Sequence, residues 1–138
     1  MQFSPSDEPI VLFGNGQPPV HPNEFLRLKK AGTIICTDGG ADRLQKLGFK
    51  ADYILGDMDS IAAMDNWMHA VKIILEDQAR TDLEKSLTWC VEKGIRQLSL
   101  VGCSGYRDDH HQMSFLLLSI FSNQIQMEMV TNFSTIYC

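Results

Sequence analysis

Two aspartates stand one residue apart in the pentapeptide GDMDS, residues 56–60. The apolar run before them, residues 53–55, predicts a buried strand that ends there. Side chains two residues apart on a strand share a face, so Asp57 and Asp59 point the same way with Cα atoms roughly 6.5 Å apart. Carboxylates about 4 Å apart repel by about 4 kcal/mol at a partly buried site, and a divalent cation reverses that repulsion. All-oxygen ligation favours Mg²⁺, and the alternative is an acidic solvent-exposed turn.

Polar residues and glycines also follow the other predicted strands. In open parallel sheets, ligands bind beyond the carboxyl ends of the strands. Scattered surface acids would not concentrate at that edge, so the coincidence strengthens the metal interpretation of Asp57 and Asp59. The residues at the remaining strand ends are Asn15, Gly16, Asp38, Gly39, Gly40, Asp77, Gln78, Gly102 and Gly105.

The start of one predicted helix carries a second arrangement that could bind phosphate. Thr81 and Glu84 have the spacing of a capping box. Asp82 lies in the first turn, and Lys85 three residues later shares its face. A helix N-terminus offers free backbone N–H groups to phosphate, and Lys85 adds a positive charge. The pattern is equally consistent with a simple cap and a surface Asp–Lys pair.

A glycine-containing loop, residues 102–111, leads into a later helix and carries Arg107, a guanidinium suited to phosphate recognition. The loop matches neither of the common phosphate-loop patterns. His110 and His111 are adjacent, so they cannot face one ion from a single helix face, and a role in capping or packing at the helix start is favoured over zinc binding.

The elements that must position these residues alternate between strand and helix. Alternation of this kind predicts an α/β fold, a doubly wound, mostly parallel sheet of about six strands with helices on both faces, which is a Rossmann-like arrangement. One helix is expected to bury Met113, Leu116, Leu117 and Ile120. The predicted strands are residues 10–13, 33–36, 52–55, 71–75, 97–101 and 125–130, with a strand-like run at 135–138; the predicted helices are 25–31, 41–47, 61–70, 82–94 and 113–123.

The composition excludes several classes of protein. The 138 residues are 44% hydrophobic and 21% charged, which is typical of one globular domain. Twelve basic against seventeen acidic residues, without a basic run, argue against nucleic acid as a partner. No apolar run approaches the about 20 residues that span a bilayer. The four cysteines, expected to be mostly small buried side chains, and the N-terminal composition together favour the cytoplasm.

Four blocks in order make the chain resemble the catalytic domain of the thiamine pyrophosphokinase (thiamine diphosphokinase) family. They are DGGADRL at 38–44, ADYILGDMDS at 51–60, DQARTDLEKSL at 77–87 and GCSGYRDDH at 102–110. The resemblance implies Mg²⁺-dependent transfer of diphosphate from ATP to the alcohol of thiamine, giving thiamine diphosphate and AMP. It also implies a homodimer in the full-length protein.

The resemblance carries roles to individual positions. It implies catalytic roles for Asp57, Asp59, Asp82 and Lys85, the three aspartates also being metal ligands. It implies that nucleotide and phosphates lie near Asp38, Gly39, Gly40, Gln78, Thr81, Arg107 and Asp109. The chain departs from the family pattern at Tyr106, where a second glycine is usual, and at Ser114, where an asparagine is usual. A ring at position 106 would crowd the phosphates or redirect the loop.

Residues 1–130 are therefore expected to form the nucleotide-binding catalytic domain, and residues 131–138 to begin a C-terminal β-sandwich domain that helps bind thiamine. Two other functions are compatible with the same residues. One is a diphosphokinase for another hydroxymethyl acceptor, such as a pterin-like compound. The other is a nucleotide-binding module without catalytic activity.

Overall fold

Seven strands form one sheet in the part of the chain that the computed structural model describes, residues 9–16, 19, 22–58, 69–75, 81–103, 120–131 and 135–137. The strands are β1 (Ile10–Phe13), β2 (Thr33–Thr37), β3 (Tyr53–Gly56), β4 (Val71–Ile74), β5 (Gln97–Val101), β6 (Gln126–Val130) and β7 (Thr135–Tyr137). The α-helices described are α1 (Pro22–Lys30), α2 (Ala41–Lys46) and α3 (Asp82–Glu92), and a 3₁₀ turn, Asp38–Gly40, joins β2 to α2.

The strand order across the sheet is β4-β3-β2-β1-β5-β6-β7. All neighbouring strands run parallel except β6 and β7, which are antiparallel. The prediction of a mostly parallel α/β sheet is therefore confirmed, and β7 lies within the strand-like run predicted at residues 135–138. Because β7 pairs with β6 in this sheet, the residues beyond 130 contribute to it. A domain boundary at residue 130 stays a prediction.

Alternation along each strand divides the core between the two faces of the sheet. In β1, Ile10 and Leu12 face one core cluster, whereas Val11 and Phe13 face the other. The first cluster is completed by side chains of α3 and the second by side chains of α1 and α2. This is the pattern that period-two side-chain placement produces when both faces of a parallel sheet are covered. The cysteines described, Cys36, Cys90 and Cys103, are free and buried in these clusters, as predicted.

Element boundaries differ from the predictions in small ways. Helix α1 begins at Pro22, three residues before the predicted start, because proline fits the first helical position, where no N–H is needed. Ile120, predicted to be buried, is 56% exposed, while Phe121 is buried. Neighbouring helical positions differ by about 100° around the axis, so placing Phe121 in the core turns Ile120 outward. The predicted helix at 61–70 and most of that at 113–123 lie outside the described residues.

No helix in the described ranges has both the length and the apolar character needed to cross a membrane.

An ion pair ties α1 to the sheet on the face that α1 covers. The Arg27 guanidinium donates to the carboxylate of Glu128 on β6, and the Ser99 hydroxyl on β5 donates to Glu128 Oε1 at 2.8 Å. Burial alone would raise the pKa of Glu128, but the bonds from Arg27 and Ser99 together lower it below its ordinary value of 4.5. The folded structure therefore favours the ionised form of the Glu128 carboxyl group.

Glu128→Gln is expected to make the free energy of unfolding fall less steeply as the pH is lowered from 7 to 3. A carboxyl group whose pKa is lower in the folded chain stabilises the fold above its unfolded pKa, and this contribution is lost as the pH falls through the folded value. The side chains are partly exposed, so the contribution is at most about 1 kcal/mol. Urea unfolding at pH 7 and in steps down to pH 3 measures it, with the exposed Glu92→Gln as control. Equal pH slopes in wild type and Glu128→Gln would contradict the assignment.

Candidate functional site

Asp38 lies at the carboxyl end of β2, in the 3₁₀ turn that leads into α2. The turn follows a strand whose five residues are all buried, and the Asp38 side chain is buried with them. Asp38 is 2% exposed, which is rare for a carboxylate unless the carboxyl group has hydrogen-bond partners. One partner is the backbone N–H of Met58, which donates to Asp38 Oδ2 at 2.9 Å.

The turn after β3 wraps around this carboxyl group. A Cβ atom on Gly56 would lie 2.5 Å from Asp38 Cγ and 2.6 and 2.7 Å from its two oxygens, so the carboxyl group packs directly against the glycine Cα. Gly56 has a φ of +144°, and Met58 has a φ of +71°, a left-handed conformation that costs free energy in a residue with a side chain. The bond from Met58 N–H to Asp38 helps to offset that cost.

Asp57 lies between Gly56 and Met58 and meets Asp38. Their carboxyl groups are close enough to share a hydrogen bond when one of them is protonated. Burial, this bond to Asp57 and the negative charge of Asp82 together raise the pKa of Asp38 to about 6, although the N–H of Met58 opposes them. The structure thus brings together the carboxyl ends of β2 and β3, and negative charge is crowded where they meet. A cation would relieve this crowding.

The N-terminus of α3 brings Asp82 and Lys85 to the same edge of the sheet. The Thr81 side chain accepts from Glu84 N–H at 3.2 Å, so the predicted cap is confirmed. Lys85 is only 7% exposed; its Nζ lies 3.5 Å from Asp82 Oδ1 and donates to the backbone oxygen of Leu75, at the end of β4, at 3.4 Å. The Lys85 ammonium is buried against the sheet edge, whereas the Asp82 side chain is 41% exposed. The pair is therefore only partly solvated, unlike the surface pair of the alternative interpretation.

The metal prediction concerns Asp57, Asp59 and Asp82. Carboxylate oxygens are the ligands that Mg²⁺ prefers, and the Asp38–Asp57 pair lies within the influence of the Asp82 charge, so the donor chemistry fits that ion. Among the residues described, no group of three His, Cys, Asp or Glu side chains is close enough to hold a metal alone. Asp59 lies outside the described residues, and the complete ligand set stays a prediction.

Several other predicted site residues also lie outside the described part of the chain. They are Gln78, Arg107 and Asp109, together with Tyr106, His110, His111 and Ser114. Gly39 and Gly40 are described, and both sit against the loop after β1. The structure thus brings together Asp38, Gly39, Gly40, Asp57, Thr81, Asp82 and Lys85 at the carboxyl edge formed by β2, β3, β4 and the start of α3.

Two contributors to this edge were not identified from the sequence. One is the Met58 backbone N–H, because a methionine in an acidic pentapeptide gives no sign that its N–H faces an aspartate twenty residues earlier. The other is Arg43, whose guanidinium donates to backbone oxygens of the loop after β1. The sequence signal for Arg43 was a basic residue shortly after the DGG turn, but basic residues are also common on solvent-exposed helix faces.

A cavity of about 350 Å³ lies at the opposite edge, where β1, β5 and β6 begin, and Tyr137 borders it. Its lining includes Ser99 and Glu128 and none of the candidate site residues. The carboxyl edge carries the residue types that chemistry requires, so we place the candidate site there and not in this cavity.

The comparisons with known proteins agree on one family. The sequence profile of the thiamin pyrophosphokinase catalytic domain matches residues 26–130. Thiamin pyrophosphokinase 1 of Caenorhabditis elegans is 33% identical over 88 residues, which cover 61% of this chain and 36% of that protein.

Solved structures of similar fold carry the same name. Thiamin pyrophosphokinase from Geobacillus thermodenitrificans is 26% identical with a TM-score of 0.70, over 88% of this chain and 58% of that one. Two further thiamin pyrophosphokinase structures share the fold. The structure from Bacillus subtilis is 23% identical with a TM-score of 0.71, over 88% of this chain and 59% of that one. The structure from Candida albicans is 20% identical with a TM-score of 0.72, over 88% of this chain and 58% of that one. The chain therefore spans between about a third and three fifths of the length of these relatives.

Proposed function

Because the chain belongs to the thiamin pyrophosphokinase catalytic-domain family, we propose that its protein transfers a diphosphate group from ATP to thiamine, forming thiamine diphosphate and AMP. The strongest structural support is the close pair of carboxyl groups of Asp38 and Asp57, beside Asp82 and Lys85 at the carboxyl edge. A doubly wound arrangement, a homodimer and a cytoplasmic location are further parts of this proposal.

In this proposal the aspartates bind the cation and the basic residues bind the phosphates. Asp57, Asp59 and Asp82 would hold Mg²⁺, which when bound supplies positive charge against the phosphate oxygens. Lys85 supplies a second positive charge from a buried position, where electrostatic interactions are stronger than in water. Arg107 would add a guanidinium, and Thr81 and Gln78 would border the nucleotide.

The reaction requires no covalent intermediate with the protein. The thiamine alcohol oxygen attacks the β-phosphorus of ATP in line, the new oxygen–phosphorus bond forms, and the bond from that phosphorus to the oxygen of the departing AMP breaks. An aspartate of the cluster accepts the alcohol proton. Catalysis then rests on positioning the two substrates and neutralising charge on the transferred group.

The test is AMP release from ATP, with Mg²⁺ and thiamine each present or absent. We expect AMP to appear only when both are present. Release with a pterin-like hydroxymethyl compound but not with thiamine would instead support the other diphosphokinase. Nucleotide binding without AMP release from any acceptor would support the non-catalytic module and contradict the proposed reaction.

A further inference from the structure

The order of strands across the sheet reverses beside β1. From β1 the chain adds β2, β3 and β4 on one side and then crosses back to place β5 on the other side of β1. In open α/β sheets, the carboxyl ends at such a reversal diverge and leave a crevice that commonly binds the ligand. The segment leaving β1 at this crevice is Gly14, Asn15 and Gly16, which we call the β1 loop.

The β1 loop is packed closely between the ends of the two neighbouring strands. A Cβ atom on Gly39 would lie 2.7 Å from the Asn15 side-chain nitrogen, and one on Gly40 would lie 2.6 Å from the oxygen of Gly14. On the other side, a Cβ atom on Gly14 would lie 2.8 Å from Cys103 Sγ. The loop therefore touches the glycines that follow Asp38, and any displacement of it would reach the site.

Hydrogen bonds hold the β1 loop from both sides. Toward β5, Gly14 N–H donates to Val101 O at 3.0 Å, and Gly16 N–H donates to Gly102 O at 2.7 Å. Toward α2, the half-buried Arg43 guanidinium donates through Nη1 to Asn15 O at 3.0 Å and also to Gly16 O. One side chain thus satisfies two successive carbonyl groups on the side facing α2.

These two carbonyl groups matter electrostatically. A carbonyl oxygen carries partial negative charge, and two of them at the edge where phosphates bind would repel the ligand. A guanidinium is always charged and presents several donors in a fixed plane, so it can hold both oxygens and offset their charge together. A lysine would keep the charge but lose the planar arrangement of donors.

We propose that Arg43 is a positioning residue for the nucleotide: it fixes the β1 loop at the crevice beside Asp38 and keeps the loop's carbonyl oxygens away from the phosphates. This role rests on the proposed function, because it assumes that the phosphates of ATP bind at this edge. Arg43 itself acts through the loop and does not touch the reacting atoms.

Hydrogen exchange tests the first half of the proposal without any ligand. In Arg43→Ala we expect the Gly16 amide to exchange at least about tenfold faster, because the loop loses its hold toward α2, while the Leu12 amide in the middle of β1 keeps its wild-type rate. Arg96→Ala, at an exposed arginine after α3, is the matched control. An unchanged Gly16 rate in Arg43→Ala would overturn the proposal.

Calorimetric titration with MgATP tests the second half. We expect Arg43→Ala to weaken binding about tenfold, Arg43→Lys to recover part of the affinity, and Arg96→Ala to match wild type. If Arg43→Ala exchanges faster at Gly16 yet binds MgATP like wild type, the arginine is merely structural and the proposal is overturned. Absence of MgATP binding by the wild-type chain would contradict the proposed function, while the exchange rates would still decide whether Arg43 holds the loop.

Discussion

Asp57→Asn is expected to lower Mg²⁺-dependent release of AMP by at least about 100-fold while leaving the fold intact. The substitution removes one negative charge from the predicted metal site but keeps the size and shape of the side chain. Asp57 is half-buried and lies close enough to Asp38 for a hydrogen bond, and an asparagine amide can donate to the same carboxylate. Because crowded negative charge is also relieved, we expect the free energy of unfolding to stay the same or to rise slightly.

The measurement is a titration of activity with Mg²⁺, paired with urea unfolding of the same preparations. Glu92→Gln is the matched control, since it also neutralises one carboxylate but at an exposed position near the C-terminal end of α3. We expect its activity to match wild type. Wild-type turnover by Asp57→Asn, at ordinary Mg²⁺ concentrations, would rule out Asp57 as a metal ligand.

Gly56→Ala is expected to lower the free energy of unfolding by about 3 kcal/mol and to weaken the binding of MgATP. The new methyl group would lie 2.5 Å from Asp38 Cγ, in a backbone conformation with φ of +144° that side chains disfavour. Asp38 cannot yield without breaking its bonds to Met58 N–H and to Asp57. The same collision therefore disturbs both the fold and the placement of the candidate ligand.

Urea unfolding separates this collision from the general cost of adding a side chain to glycine. Gly94→Ala is the control, because Gly94 also has a positive φ, +80°, but its Cβ would meet no atom within 4 Å. We expect Gly94→Ala to cost about 1 kcal/mol, from backbone conformation alone. Equal losses in the two variants would mean that contact with Asp38 contributes nothing to stability.

Much of the fold could be predicted because local chemistry determines it. Alternating and continuous apolar runs predicted the strands, since burial on both faces of a parallel sheet demands them. Thr81 with Glu84 three residues later predicted the start of α3, because a side-chain cap is a contact between near neighbours. The same reasoning placed Asp38 and Asp57 at strand ends and hence at one edge of the sheet.

Contacts between distant segments could not be predicted in this way. No local pattern says that β5 returns to the far side of β1, or that Phe121 and not Ile120 faces the core. Two further contacts likewise depend on which strands are neighbours. Lys85 is buried against the end of β4, and Arg43 donates hydrogen bonds to the β1 loop. In the sequence Arg43 looks like an ordinary residue of a solvent-facing helix, and Lys85, although predicted to lie near the phosphates, carries no local sign that it is buried.

Local sequence thus specifies which residue types stand at the carboxyl ends of the strands, because each strand and its end are encoded by a few consecutive residues. The contact of Asp38 with Gly56 and Asp57 follows instead from how the strands pack together. Such a contact requires two strands to pair in one register, Thr37 opposite Leu55, and that register follows from the packing of both sheet faces together. The local sequence pattern supplies the side chains at the strand ends, and the packing of distant segments sets the distances between those side chains.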